Sequence, residues 1–365
     1  MYSSEEYKEI EKKIFAGERL SREDGIKLFA CKDIAWLGNM ADYVRQQKCG
    51  DIVYYNVNCH VNLTNICTSK CKFCAFGRDK DDKGAYAMEV EDALALVRDA
   101  SKDPNLAGLH VVSGLHNDWS FEDYLQRLQA LHDEFPNLYL KGFTGVEITH
   151  FAKISGLSIE QVLRKLQQAG LQAIAGGGAE ILSDRVRNEL CPNKATAAQW
   201  LEVSRTAHKL GIKTNASMLY GHIETLEERV DHLLTLRDLQ DETGGIQTFI
   251  CFPFLPKHTE LGKTVQQTSM WDDLRTIAIS RLMLDNITNI KAYWVMLTVP
   301  VAQIALGFGA NDIDGTIHKE TILHDAGASS PTALSEDNII KIIREAGRIP
   351  AACDCNFNIL RTFAD

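Results

Sequence analysis

The chain has 365 residues, 45% of them hydrophobic and 24% charged, enough for one large barrel or two modest domains around a substantial core. Its 39 basic against 49 acidic residues leave a net charge of −10, which argues against nonspecific binding of nucleic acid or of an anionic membrane surface and leaves a small molecule as the default ligand. There is no run of about eighteen apolar residues, and the opening MYSSEEYKEIEKKIF reads as a charged amphipathic helix without an apolar h-region; neither a membrane span nor a signal peptide is expected, and the expected location is cytoplasmic.

Residues 4–47 read as helices that precede the main pattern. From residue 51 onward short β-rich runs alternate with charged segments that carry an apolar stripe at helical spacing. The expected strands are Ile52–Asn62, Leu106–Ser113, Leu138–Phe143, Gln172–Ala175, Lys213–Leu219, Gln247–Phe252, Lys291–Leu297 and a short one near Asn311–Asp314. The expected helices between them are Val90–Ala100, Phe121–Glu134, Ile159–Ala169, Ala197–Leu210, Leu226–Glu242, Met270–Asp285 and Pro300–Leu306. Eight such units predict an α/β fold, a (β/α)8 TIM-type barrel over 51–320, with an N-terminal helical extension over 1–50. Residues 321–365, with a helix at Glu336–Glu345, form a C-terminal helical cap of the same domain. A barrel of this kind builds its active site from the loops at the carboxyl ends of its strands.

Just after the first strand stands CTSKCKFC, which spaces Cys67, Cys71 and Cys74 as C-x3-C-x2-C. A 4Fe-4S cluster held entirely by protein takes four thiolates, so a triplet leaves one iron open to a substrate. The same residues allow a zinc site with His60 nearby, or three reduced core thiols. Structural zinc asks for four protein ligands, and a polar, Lys-rich loop reads poorly as core. The thiols need a reducing compartment. Cys31, Cys49, Cys59, Cys191 and Cys251 read as small apolar fillers, and Cys353 with Cys355 is too short a ligand set for a second cluster.

Later strands end in further polar or glycine-rich turns. SGLHND offers Ser113, Gly114 and His116, or simply a turn with a solvated histidine; FTGVEITHF offers Thr144, Glu147 and His150. Glu147 could accept hydrogen bonds from a ribose or amine, or serve as a helix-start acid beside the macrodipole. AGGGAEI, with Gly176, Gly177, Gly178 and Glu180, permits close backbone approach to a ligand, or is a tight turn; it lacks the dinucleotide fingerprint. NASMLYGHIET carries Asn215, Ser217, Leu219, Tyr220, Gly221, His222 and Glu224, and QTFICFPFLP is an apolar, aromatic strand suited to adenine, an aromatic substrate or plain core packing.

The cysteine spacing, with Phe73 before the last thiol, resembles the radical S-adenosylmethionine (SAM) enzymes. That resemblance implies a 4Fe-4S cluster on Cys67, Cys71 and Cys74 whose open iron is chelated by the amino and carboxylate groups of SAM. It implies SAM contacts from Ser113 and Gly114, and Phe73, Glu147 and Gly178 join them as candidate SAM contacts. Ser217, Leu219, Gly221 and Glu224 are similar to the family's adenine pattern G-x-I-x-G-x-x-E, with serine in place of its first glycine. Across roughly residues 50 to 350, the segments CKFCAFGR, SGLHND, KGFTGVEITHFAKISGLS, GGGAEI, YGHIET, HLLTLRDLQDETGG and RTIAISRLMLDNI resemble the aminofutalosine synthases of the futalosine route to menaquinone. Neighbouring families are the cyclic dehypoxanthine futalosine synthases and the cofactor F420 synthase subunits. The resemblance implies a transferase in which the 5′-deoxyadenosyl radical adds to the enol-ether carbon of 3-[(1-carboxyvinyl)oxy]benzoate. Rearrangement and loss of carbon dioxide then give 6-amino-6-deoxyfutalosine, with a flavodoxin- or ferredoxin-type protein as reductant. A dicarboxylate acceptor calls for cationic or donating groups, and Arg78, His116, Lys141, Asn215 and His222 are the candidates; no residue is singled out as catalytic.

Overall fold

The computed structural model describes residues 5–316 and 322–364; the first four positions of the expected helical extension, the barrel-to-cap junction at 317–321 and the last residue lie outside the described residues. Three helices come first, α1 (Glu5–Ala16), α2 (Arg22–Phe29) and α3 (Ile34–Cys49). The first strand is parted at Val57 into β1 (Ile52–Asn56) and β2 (Asn58–Asn62). There follow α4 (Val90–Ala100), β3 (Gly108–Val112), α5 (Phe121–Glu134), β4 (Tyr139–Gly142), α6 (Gly145–Ser155), α7 (Ile159–Gln168), β5 (Ala173–Ile174), α8 (Asp184–Leu190), α9 (Ala197–Lys209), β6 (Lys213–Tyr220), α10 (Leu226–Thr243) and β7 (Ile246–Pro253). The remainder is α11 (Met270–Met283), β8 (Asn289–Lys291), α12 (Trp294–Leu297), α13 (Val299–Ala305), β9 (Asp312–Gly315), α14 (Ile322–Asp325), α15 (Glu336–Glu345), β10 (Ile349–Cys353) and β11 (Ile359–Thr362).

The parted first strand curls the sheet round on itself. β1 pairs in parallel with β9 through Tyr54↔Asp312 and Asn56↔Gly315, while β2 pairs in parallel with β3 over its whole length. The Thr316 amide donates to Asn56 O on one side and the Ala107 amide to Val57 O on the other. With β1 and β2 taken as one strand, eight parallel strands run in order from β1/β2 through β3 to β9. Such strands are covered on both faces, which is why β2 and β8 are buried at every position and β6 at all but its first.

Helix starts follow from local chemistry. Ser158 with Gln161, Thr196 with Gln199 and Thr225 with Glu228 close capping boxes at α7, α9 and α10, satisfying amides that the helix leaves open. The N-terminal extension is bound to the barrel's outside: α3 packs on α11, and α2 packs on both α10 and α11.

Three departures from the sequence reading have physical causes. The expected strand Lys291–Leu297 ends at Lys291, and Trp294–Leu297 is the short helix α12, whose Leu297 amide donates to Tyr293 O. Every residue of AYWVML is buried, so no periodicity marks strand from helix. Helices α6 and α8 were not expected: the start of α6 was read as a site turn, and α8, only seven residues long, follows the glycine turn without a reading of its own. The C-terminal cap is more than a helix: β10 pairs in parallel with β1, from Ile52↔Ile349 to Tyr55↔Ala352, and β11 pairs antiparallel with β10. Of the two halves of the first strand only β2 pairs with β3, so β1 would otherwise leave an edge unpaired on that side, and β10 takes those hydrogen-bonding groups.

Candidate active site

One cavity of about 370 Å³ occupies the barrel axis and opens among the loops at the strands' carboxyl ends. At its rim runs the loop that leaves β2. The Cys67 amide donates to Arg78 O, the Thr68 amide to Leu115 O, the Lys72 amide to Leu190 O and the Cys74 amide to Cys71 O, so the loop is pinned at intervals to its own ends, to the turn after β3 and to α8. Cys67, Cys71, Cys74 and Phe73 all line the cavity. None of the three thiols is in a disulfide, and the Gly77 amide donates to Cys74 Sγ at 3.4 Å. Among the described residues no three His, Cys, Asp or Glu side chains are gathered for one metal ion. A cluster asks for something else: thiolates that share one wall and each take a different iron. Cys71 donates its proton to Cys191, and this bond and burial hold its thiol well above the ordinary range, so ligation by Cys71 must displace a proton.

Next to the thiols stand the turns after β3, β4, β5 and β6. Ser113 and Gly114 line the cavity, and Ser113 is fixed from behind: its amide donates to Glu147 Oε1 at 2.7 Å. The other oxygen of Glu147 accepts from the Thr144 amide, and Thr144 Oγ1 accepts from the Glu147 amide, closing the capping box of α6. Glu147 is therefore a helix-start acid and part of the cavity wall at once. Burial raises its carboxyl to about 7 in spite of the hydrogen bonds from Thr144 and Ser113. Gly176, Gly177 and Gly178 form the adjoining wall. A Cβ on Gly176 would lie 2.8 Å from the Asn215 carbonyl carbon, so β6 approaches the turn as only glycine permits. Ser217 Oγ donates to Gly176 O at 2.7 Å, and the Leu219 amide donates to Glu180 O, binding the β6 end to the glycine turn. Buried Glu180 and half-buried Lys194 pair at 2.5 Å, and the ammonium lies 5.2 Å from the centre of the Phe73 ring. Burial opposes the charge on Glu180, but Lys194 outweighs it and holds the carboxyl below the usual range.

The opposite end of the cavity, deep in the barrel, is polar in a different way. His60, His110 and Lys141 are register partners on β2, β3 and β4, and all three line the cavity. The two imidazole rings lie 4.8 Å apart, and burial, helped by His60, Lys141 and Lys291, holds His110 well below its ordinary pKa and therefore neutral. Lys291 sits in an ion pair with Asp314 and 3.4 Å from Asp312. Cys355, carried in by the segment after β10, is at the floor as well. Asn58 Oδ1, Asn215 Oδ1 and Ser69 Oγ are buried, line the cavity and have no hydrogen-bond partner. Between floor and rim the lining includes Val112, Ile250, Phe252, Tyr293 and Met296.

Of the residues singled out from sequence, Cys67, Cys71, Cys74, Phe73, Ser113, Gly114, Lys141, Glu147, Gly178, Asn215, Ser217 and Leu219 meet in this one cavity. Gly221, His222, Arg78 and His116 lie outside its lining. The Gly221 and His222 amides donate to the two oxygens of Glu224, which also accepts from Arg229 Nε. Gly221 has φ +86°, and a side chain there would run into Thr268, so its glycine shapes the turn. His222 Nε2 donates to Leu219 O. Arg78 Nη1 donates to Ala75 O and Gly77 O, bracing the cysteine loop from outside, and His116 stacks on Trp119. Sequence reasoning missed Lys194, Lys291, His110 and Asp314. The signal available for three of them was strand position: His110, Lys291 and Asp314 each sit in a predicted strand where polar residues are unexpected. Lys194 follows a short helix that was not foreseen.

Two family models match the chain, the radical SAM superfamily over residues 61–236 and the CofH/MqnC C-terminal region over residues 243–363. The aminodeoxyfutalosine synthase of Thermus thermophilus is 44% identical over 97% of this chain and 96% of its own. The 5-amino-6-(D-ribitylamino)uracil–L-tyrosine 4-hydroxyphenyl transferase of Archaeoglobus fulgidus is 40% identical over 88% of this chain and 92% of its own. In fold, the chain is similar to the FeFe-hydrogenase maturase HydG from Carboxydothermus hydrogenoformans, with TM-score 0.77, 16% identity, and coverage of 97% of this chain and 81% of that one.

Proposed function

The chain belongs to the radical SAM superfamily, enzymes that use a 4Fe-4S cluster with S-adenosylmethionine, and on that premise we propose that it couples the adenosyl group of SAM to 3-[(1-carboxyvinyl)oxy]benzoate, forming 6-amino-6-deoxyfutalosine. Cys67, Cys71 and Cys74 would hold the cluster, leaving the fourth iron to the amino and carboxylate groups of SAM. When bound, the cluster supplies one electron to SAM, which releases methionine and a 5′-deoxyadenosyl radical. Phe73, Ser113, Gly114, Gly178, Ser217 and Leu219 form the wall along which SAM would lie, and Glu147 holds that wall in place through the Ser113 amide. The chain's part is to orient and to exclude water, because a primary carbon radical abstracts stray hydrogen unless the acceptor carbon is held against it. Substrates and product are all closed-shell, so the electron lent to SAM returns as the coupled radical loses carbon dioxide, and a flavodoxin- or ferredoxin-type donor serves to prime the cycle.

The observation that carries this reading is the two-ended cavity, with thiols and glycines at one end, a buried unpaired ammonium at the other and an apolar shaft between. An elongated aromatic acid suits that shape. The test is anaerobic reconstitution and reduction with SAM labelled in its adenosyl part and the enol ether present. Label in a single product that joins adenine, ribose and benzoate, with carbon dioxide or bicarbonate released, is expected. Label found only in free 5′-deoxyadenosine, with dehypoxanthine futalosine cyclised instead, would transfer the chain to the cyclising relatives.

A further inference from the structure

Lys141 is 6% exposed and lines the cavity, and among the described residues neither a carboxylate nor a hydrogen-bond acceptor stands against its ammonium. The other cations in the cavity differ. Lys291 has Asp314 and Asp312, and Lys194 has Glu180. A buried charge without a partner costs several kcal/mol, and a fold keeps one where something else completes it. The groups facing Lys141 do not: His110 and His60 stand next to it in register, and Cys355 keeps its proton because burial raises its thiol. Asn215 adds an unpartnered Oδ1 to the same cavity.

Height along the barrel says which part of a ligand reaches this point. Ser113 and Thr144 lie three residues beyond His110 and Lys141 on the same chain runs, so the floor row is about 10 Å below the rim row at the usual rise of a strand. In the proposed acceptor the alkene must meet the 5′ carbon at the rim. The carboxylate carried on that alkene stays at the rim with it. The benzoate carboxylate, meta to the enol-ether oxygen, is separated from the alkene by the ring and is the anion that reaches down the shaft.

We propose that Lys141, flanked by the His60–His110 pair, is the anchoring and specificity residue for the aromatic carboxylate of the acceptor, seated at the barrel floor on β4. The inference rests on the coupling reaction proposed above. It makes the enzyme selective for a ring that bears an anion meta to the enol ether, and it gives Lys141 a positioning part without contact with the reacting atoms.

The test is calorimetric titration of the cluster-loaded, unreduced protein with 3-[(1-carboxyvinyl)oxy]benzoate and with its benzoate methyl ester. Lys141→Met should weaken the diacid roughly 100-fold, as loss of one partner of a buried charge pair does, with iron content and SAM affinity unchanged. The ester should bind the wild-type protein about as weakly as the diacid binds the variant, and should lose nothing further in the variant. A merely structural lysine would leave diacid and ester equally affected. Equal affinity of wild type and Lys141→Met for the diacid, or of the wild type for diacid and ester, overturns the anchor. If Lys141→Met does not fold, the ester comparison on the wild type decides alone. Failure of the coupling reaction is separate: a wild type that binds the diacid through Lys141 but yields no adenosyl-labelled product loses the reaction and keeps the anchor.

Discussion

The rim and the floor of the cavity are built on opposite plans. The rim comes from contiguous stretches, CTSKCKFC and AGGGA above all, in loops whose backbone is pinned by its own amides. Each stretch brings several site groups at once. The floor takes one residue from each of several strands, His60 from β2, His110 from β3, Lys141 from β4 and Lys291 from β8, and only the register of the sheet puts them together. A loop can change its chemistry by local substitution, whereas a floor group stands among strands packed on both faces. On the reading proposed above, chemistry common to a superfamily belongs in the loops, while the choice of acceptor belongs in the barrel.

The largest effect expected is at the rim. Alanine at Cys67, Cys71 or Cys74 should abolish SAM cleavage, since each thiolate would hold a separate iron and among the described residues no other cysteine lines the rim; Cys191 touches Cys71 without lining the cavity. Alanine at Cys353 or Cys355 should leave the iron content unchanged, because those thiols belong to β10 and the floor. Anaerobic iron and sulfide analysis with a 5′-deoxyadenosine assay reads both. A triple rim variant that still holds four irons and cleaves SAM would end the division between the two regions.

Within the floor, the paired and the unpaired lysine should part company. Lys291→Met leaves Asp312 and Asp314 buried beside each other without their cation, and should cost about 3–5 kcal/mol of stability. Lys141→Met removes a charge that has no internal partner and should leave the melting temperature unchanged or higher. Denaturant titrations of the two cluster-loaded variants make the comparison; equal losses would show that Lys141 has a structural counter-ion after all.

What could be read in the sequence follows the same line. The thiol triplet, the glycine run and the capping pairs such as Thr225 with Glu228 are signals within a few residues, and the strands showed as short apolar runs between striped helices. The row His60, His110, Lys141 carries no such signal, because its members are 50 and 31 positions apart and meet through pairing alone. His60 was weighed only as a nitrogen for zinc. Lys291 was hidden at the start of KAYWVML, where an all-buried run conceals both the end of β8 and the start of α12. The strands β10 and β11 exist because β1 has an edge left to pair, a fact of topology rather than of composition. Gly221 and Glu224 were legible as a pattern, but the pattern did not tell lining from bracing.

That bracing has a pH signature. Burial pushes the Glu224 carboxyl up, but His222, Arg229 and the Gly221 amide outweigh it and bring it from the ordinary 4.5 down to about 2. The folded value lies below the unfolded one, so the stabilisation is complete above pH 4.5 and is lost as pH falls toward 2. It should amount to about 3 kcal/mol at most. Urea unfolding of wild type and Glu224→Gln should differ most near neutral pH and converge in acid. A gap that stays constant down to pH 2 would place the stabilisation elsewhere.

The smallest effect separates two neighbours in the glycine turn. A methyl on Gly176 would stand 2.8 Å from the Asn215 carbonyl carbon and 2.9 Å from the Ala216 nitrogen, backbone atoms of β6 that move only if the sheet opens. A methyl on Gly177 would meet the Thr144 Cγ2 methyl at 3.3 Å, where a shift of a few tenths of an ångström relieves it. Overpacking against fixed atoms costs about 1–3 kcal/mol, so Gly176→Ala should lower stability by that much and Gly177→Ala by less. Both glycines line the cavity, so both variants narrow the proposed SAM wall, and Gly177→Ala should weaken SAM binding with little loss of stability. Melting and SAM titration of the pair distinguish a glycine kept for the sheet from one kept for the ligand; if Gly177→Ala binds SAM as the wild type does, the turn's second glycine faces empty space and SAM lies elsewhere along the rim.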